Sequence, residues 1–379
     1  MSEESPTYDA SSIVVLEGLE AVRKRPGMYV GSVGERGLHH LVFEAAERAL
    51  NEILGGTASR VEITLTADGG VRVADDGSGL AVGHAGHTDG PPLENRLTEL
   101  WCGTPPADRR SLFGGYFGVG LAVVNALSSR LRAEVRRDGA RWVLEYEQGV
   151  PVGVPARSGP AYGSGTVITF RPDAEIFETL EFSFDALAER FRELSFLNRE
   201  LDITLTDDRD LAAPRAVRFR FPGGPGDYIA QQGAPLHPDV IRFERAYSAM
   251  EGTVEVALRW CDRREERIAS YANSLPTTGG GTHELGFREG LAAALTGYAR
   301  EQLLNPDFTP TQLGAGLTAV VSVKLDRPEF EGATRGRLGN GPVRACVAEA
   351  VREHVTAWLR ANPAQAMAVV ARGSTAGRH

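Results

Sequence analysis

The stretch "FEAAERALNE", residues 43–52, sets Phe43, Ala46 and Leu50 at helical spacing, with Glu44, Glu47, Arg48 and Asn51 between them. It lies inside "LHHLVFEAAERALNEILGG", which predicts a helix stopped by Gly55-Gly56. Upstream, "SSIVVLEGLEAVRKRPGMYV" predicts a short amphipathic helix ending at Pro26-Gly27. Downstream, "RVEITLTADGGVRVADDGSGL" alternates apolar and polar residues on both sides of Asp-Gly-Gly, the pattern of a β-hairpin. "GLAVVNALSSRLRAEVRRDG" reads as a glycine-entered helix running into a strand, and "ARWVLEYEQGV" and "GSGTVITFRPD" extend the sheet. A helix over about 183–195 and the strand "ELDITLTDDR" complete a first unit.

The segment "FPGGPGDYIA" at 221–230 is rich in proline and glycine and reads as a boundary. Beyond it, "TVEVALRWCD", "ERIASYANS" and "LTAVVSVKLD" are strand patterns, while "HELGFREGLAAALTGYAREQLL" and "PVRACVAEAVREHVTAWLRAN" are long helices. Strands and helices interleave without a regular βαβ period, so the fold class is α+β, with domains at 1–220 and 221–379 and an N-terminal arm at 1–15.

The net charge of −9 gives the whole molecule no electrostatic case for nucleic acid, and short basic runs such as Arg23-Lys24-Arg25 read as solvated faces. Cys102, Cys261 and Cys346 are far apart and form no CxxC, which argues against a disulfide framework or zinc site and fits a reducing, cytoplasmic setting. The acidic, polar start "MSEESPTYDA" is unlike a secretory leader, and no apolar run is long enough to predict a membrane span.

Candidate chemistry gathers in three segments. Glu44 lies on a helix with His40 one turn before it and Arg48 one turn after it, all on one face. "DDGSG", Asp75 to Gly79, ends a strand with a carboxylate that can accept a hydrogen bond from an exocyclic amine, beside glycines that let a flat ring approach. "FGGYFGVGLAVVNAL" places glycines ahead of a helix start, where free N–H groups and the helix dipole favour phosphate. A carboxylate such as Glu44 on a facing helix can position and activate water. Each signal alone is weak; their order and spacing together are specific.

With these motifs the chain resembles the ATPase half of gyrase B proteins, a branch of the GHKL (gyrase, Hsp90, histidine kinase, MutL) superfamily. "YDASSIVVLEGLEAVRKRPGMYVG", "GLHHLVFE", "DDGSG", "GGYFGVGLAVVNALS", "RELSFLN", "GGGTHELGFREGL" and "LTAVVSVKLDRPEF" carry the resemblance along essentially the whole chain. It implies a GHKL (Bergerat) α/β sandwich followed by a ribosomal-S5-like transducer, and an ATP site in the first domain. Within that site it implies Glu44 as the catalytic carboxylate and Asp75, Gly77, Gly79 and Thr166 on the adenine side. It also implies Gly115, Phe117, Gly118, Val119 and Gly120 in the phosphate loop and Arg335 toward the γ-phosphate. Arg137 stands where gyrase inhibitors are clamped, and Tyr8 and Ile13 stand at arm positions that cap the nucleotide of a partner in a homodimer. A TOPRIM motif and a DNA-wrapping tail are not found, so strand passage by these residues alone is not expected.

The pattern breaks at the phosphate end. Where the family carries a magnesium-ligating asparagine, this chain has Arg48, whose guanidinium has no lone pair to offer. A +2 ion about 4 Å away, at an effective dielectric of about 20, would meet a repulsion on the order of 8 kcal/mol. Arg48 is expected to pair with Glu44 or to replace the metal as a phosphate counter-ion. The transducer loop's Gln-Thr-Lys is Ala333-Thr334-Arg335, the lid "CGTPPADRRSLF" has no lysine, Phe117 replaces a histidine, and Ser78 replaces an arginine over the base. Three readings follow. The first is a stand-alone gyrase-B-like protein that binds ATP with weak or absent magnesium-dependent turnover and acts as a dimeric gate, a gyrase modulator or an inhibitor decoy. The second is a repurposed pocket for another small molecule in specialised metabolism, with Glu44, His40 and Arg48 as acid–base or anion-binding groups. The third is a conventional ATPase with a separate TOPRIM partner.

Overall fold

The computed structural model describes residues 16–82, 92–100, 112, 120–304, 308–309, 316–332 and 336–376. The alternation around Asp68-Gly69-Gly70 becomes an antiparallel hairpin, β1 (Val61–Leu65) and β2 (Val71–Asp75), in which Val61 faces Asp75 and Leu65 faces Val71. Gly69 supplies the left-handed backbone that the turn requires, at φ +78°. The helices ahead of it are α1 (Gly18–Lys24), α2 (Gly27–Val30) and α3 (Glu35–Leu54); those that follow are α4 (Leu93–Thr98) and α5 (Leu121–Ala126). Then come β3 (Ser128–Arg137), β4 (Ala140–Glu147), β5 (Val150–Pro151), β6 (Ala156–Pro160), β7 (Gly165–Pro172), α6 (Phe184–Leu197), β8 (Ile203–Asp207) and β9 (Arg215–Phe219). The strands form one nine-stranded sheet in the order β5-β4-β3-β7-β2-β1-β8-β9, with β6 on β4.

The long helix α3 packs on β1, β2 and β7 and against α5. Its buried face is wider than the heptad-like reading of the sequence: Leu38, Leu41, Val42, Ala45, Ala46, Ala49 and Leu50 are all fully buried. Phe43, an expected core position, is only half-buried, while Glu44 is buried at 5% exposure. The helix therefore turns its Glu44 side inward, and the apolar stripe lies one residue to either side of it.

The remaining elements are α7 (Pro225–Ala230), β10 (Ile241–Tyr247), β11 (Gly252–Trp260), β12 (Arg267–Ala272), β13 (Leu275–Pro276), α8 (Thr282–Glu301), β14 (Leu317–Leu325), β15 (Phe330–Glu331), β16 (Arg337–Leu338), α9 (Gly341–Ala361) and α10 (Pro363–Ala376). Their five-stranded sheet runs β10-β11-β14-β12-β13, and β12 pairs with β14 in parallel across the helix α8, a βαβ unit in an otherwise antiparallel sheet. Val254, Val256 and Leu258 of β11 and Val321 and Val323 of β14 build a core with Leu291, Leu295, Val347 and Val351 of α8 and α9. On α8, a Cβ at Gly286 would strike the carbonyl oxygen of Arg344, and one at Gly290 that of Ala348. The two helices thus meet backbone to backbone along that stripe.

The mixed α and β architecture agrees with the expected class. The chain forms two compact units, but no single cut separates them: residues 188–203 group with 218–379, while 204–217 return to the first unit. The physical reason lies in α6, whose distal Phe196 stacks on Tyr228 with ring centroids 4.2 Å apart and meets Tyr271 edge-on. The strand β10 and the terminal helix α10 were not read from the sequence, and the boundary segment 221–230 contains the short helix α7.

Candidate functional site

Strand parity decides where Asp75 points. Val71, Val73 and Asp75 share the face of β2 that is buried under α3, so the carboxylate at the strand end continues a core-facing row and is only 4% exposed. Asp76, one residue on, faces away and takes the backbone N–H groups of Ser59 and Arg60 at 2.7 and 3.1 Å. Asp75 Oδ1 accepts from Gly77 N–H at 3.0 Å, which curls the chain around the carboxylate. Gly79 has φ +77°, and a Cβ there would sit 2.5 Å from the Arg136 carbonyl oxygen, so this turn presses directly on the end of β3. Arg137 donates to the Gly79 carbonyl at 2.9 Å, and the fully buried Thr166 accepts from Leu80 N–H at 3.1 Å. Gly165 approaches so closely that a side chain would run into the Asp75 carbonyl oxygen. The expected base-side residues Asp75, Gly77, Gly79, Thr166 and Arg137 are therefore brought together by hydrogen bonds through backbone and side chain.

From α3, His40, Glu44 and Arg48 reach the same layer at successive helical turns. Glu44 Oε2 accepts from Gly120 N–H at 3.0 Å, at the start of α5, and Glu44 Oε1 lies 3.1 Å from His40 Nε2. Gly120 has φ +69° and is the last residue before α5, which aims its N–H back at the helix α3 carboxylate. This is the one residue of the expected phosphate loop within the described residues. Gly115, Phe117, Gly118 and Val119, together with Arg335, Tyr8 and the 1–15 arm, lie outside them.

Arg48 departs from expectation. It does not pair with Glu44: its Nη2 donates to Asp75 Oδ2, in an ion pair whose side chains are 9% and 1% exposed. Glu44 already has a backbone N–H on one oxygen and His40 beside the other, whereas the inward parity of β2 offers Arg48 a buried carboxylate. Arg48 Nε is itself buried and has no hydrogen-bond partner among the described residues.

Glu47 is a titratable neighbour of Glu44 that the sequence reading did not single out. Burial first, and the neighbouring Glu44 carboxylate second, push its carboxyl up to about 8 from an ordinary 4.5. The only sequence signal was its place three residues after Glu44 on one helix. At neutral pH Glu47 holds a proton, so two carboxylates are not charged side by side on α3.

Two expectations follow. Asp75→Ala leaves the Arg48 guanidinium buried without its counter-charge, and urea unfolding is expected to show a loss of about 3–5 kcal/mol; a loss below about 1 kcal/mol would show that water reaches the pair. For Glu47, the folded-state pKa lies above the unfolded one. Its contribution to stability is therefore fully present below 4.5 and is lost as pH rises through about 8. Glu47→Gln, which stays neutral, is expected to lose less melting temperature than the parent between about pH 5 and about pH 9.

Residues 34–176 match the family of histidine kinase-, DNA gyrase B- and HSP90-like ATPases, and residues 226–378 match the DNA gyrase B family. The B subunit of DNA gyrase from Streptomyces coelicolor is 42% identical across 97% of this chain, and the novobiocin-resistant B subunit of DNA gyrase from Streptomyces niveus is 43% identical across 96%. The chain spans 57% of the length of each of these relatives. Among solved structures, the 43K ATPase domain of Thermus thermophilus gyrase B, in complex with an aminocoumarin, superposes with a TM-score of 0.75 at 32% identity. That match covers 95% of this chain and 94% of that one. The chain belongs to the DNA gyrase B family and corresponds to the N-terminal half of its members, the gyrase-B-like ATPase region.

Proposed function

We propose that the first unit is a gyrase-B-type nucleotide pocket in which ATP binds weakly and magnesium-dependent hydrolysis is lost. The observation that carries this reading is the buried Arg48–Asp75 ion pair. The carboxylate that would receive an adenine amine already holds a guanidinium. Separating the two leaves a buried charge without its partner, at a cost of about 3–5 kcal/mol, or roughly two to four orders of magnitude in affinity. The same side chain stands where the family resemblance calls for a magnesium ligand, and a cation cannot coordinate a cation. Magnesium, when bound in such a pocket, supplies charge neutralisation at the phosphates; among the described residues no cluster of three or more His, Cys, Asp or Glu side chains is arranged to hold a metal ion.

Glu44 retains the geometry of a positioned base. Gly120 N–H fixes one oxygen, and His40 Nε2 stands 3.1 Å from the other. The Gly120 contact draws on a lone pair that a water would need. Glu47, protonated at neutral pH, keeps the negative charge on Glu44 from being doubled. The Gly120 N–H at the start of α5 is taken up by Glu44, so phosphate binding in this reading rests on the family resemblance of the glycine loop.

Action in the cytoplasm, as a homodimer or together with another gyrase subunit, is part of the same proposal; no helix among the described residues is long and apolar enough to cross a membrane. Light scattering with a non-hydrolysable ATP analogue is expected to show a dimer, and a monomer at high concentration with and without the analogue would remove that part. For the chemistry, steady-state ATP hydrolysis with magnesium is expected to stay at the Glu44→Ala background. Robust turnover that vanishes in Glu44→Ala would overturn the proposal in favour of a conventional ATPase working with a TOPRIM partner. Turnover gained in Arg48→Asn would assign the block to Arg48.

A further inference from the structure

Both oxygens of Asp75 are engaged, Oδ1 by Gly77 N–H and Oδ2 by Arg48. A planar ring entering beside this carboxylate meets a face in which N–H donors have replaced a free acceptor. The guanidinium donates through Nη2 to Asp75, its side chain is 9% exposed, and its Nε–H lacks a partner among the described residues. A buried donor without an acceptor is the costly kind of polar group, and a ligand that supplies the acceptor removes that cost. A 6-aminopurine brings N–H toward N–H at this point. A 6-oxopurine brings a carbonyl oxygen, with the ring nitrogen N7 as a second acceptor on the same edge. That pair of acceptors is the arrangement an arginine fork satisfies with two parallel hydrogen bonds, and one such bidentate contact discriminates between bases by a factor of ten or more.

We propose that the Arg48–Asp75 pair makes this pocket select 6-oxopurine nucleotides, of the hypoxanthine or guanine type, over adenine nucleotides. Arg48 is then the specificity-determining residue: it stays paired with Asp75 and offers its remaining donors to the carbonyl edge of the base. Asp75 orients the guanidinium, and Gly77 keeps a side chain out of the space beside the carboxylate. This inference rests on the reading of the first unit as a nucleotide pocket, but not on the loss of hydrolysis.

ITP and ATP differ at the 6-position of the purine, which makes them the discriminating pair. Isothermal titration of the full chain with each nucleotide, in the absence of metal, is expected to show ITP bound at least about tenfold more tightly than ATP. GTP tighter than ITP assigns guanine as the better base, weaker GTP assigns hypoxanthine, and equal binding assigns no preference between them; all three support the selection of a 6-oxo group. Equal binding of ATP and ITP, tighter binding of ATP, or no heat from either at millimolar concentration would overturn the inference. In Arg48→Asn the order is expected to reverse, because Asp75 Oδ2, freed of the guanidinium, can accept from the 6-amino group of adenine; an unchanged ITP preference in that variant also overturns it. Hydrolysis is scored separately. Absent turnover with no ITP preference sinks this inference alone, whereas magnesium-dependent ATP turnover sinks the earlier reading and leaves the ITP to ATP ratio to decide this one.

Discussion

A guanidinium and a carboxylate that share a dry layer hold each other in place, because either one alone would be a buried, uncompensated charge. Arg48 and Asp75 are such a pair, and the geometry of the first unit converges on them. The helix α3 must present its third polar turn to the sheet, β2 must end on an inward-facing position, and the glycines after it must let the chain fold back over the carboxylate. The apolar contacts between α3 and the sheet set the spacing at which the two side chains meet, and the ion pair fixes the register in return.

The consequences divide along α3. Toward its N-terminal end, Glu44 accepts from Gly120 N–H and has His40 beside it. One turn further on, Arg48 has turned away from Glu44 and onto Asp75. The side chain expected beside Glu44 thus serves the end of β2 instead, a reach that a short amide could not imitate.

Much of this was legible in the sequence. The β1–β2 hairpin was fixed by alternation and an Asp-Gly-Gly turn, and the parity of Val71 and Val73 places Asp75 inward. The helix α3, its glycine stop and the entry into α5 were also readable, because each depends on local chemistry. The partner of Arg48 was not. On a helix, Glu44 is its nearest opposite charge in sequence, but which acid an arginine reaches depends on tertiary distance and on what already occupies the nearer one. The strand β10 escaped for a related reason: Arg242, Glu244 and Arg245 dilute its apolar residues, and only pairing with β11 makes it a strand. The division of the units was hidden because α6 is continuous in sequence, while its distal aromatic residue is claimed by Tyr228 and Tyr271.

In the second unit, Gly286 and Gly290 bring α8 against the carbonyl groups of α9 with no side-chain layer between them. Interleaved side chains act as a soft bearing, letting neighbouring helices shear by fractions of a turn as rotamers readjust. Here that bearing is missing along the line of contact. Sliding α8 along α9 would drive these glycines onto the flanking carbonyl groups, so the two helices resist relative sliding at that line.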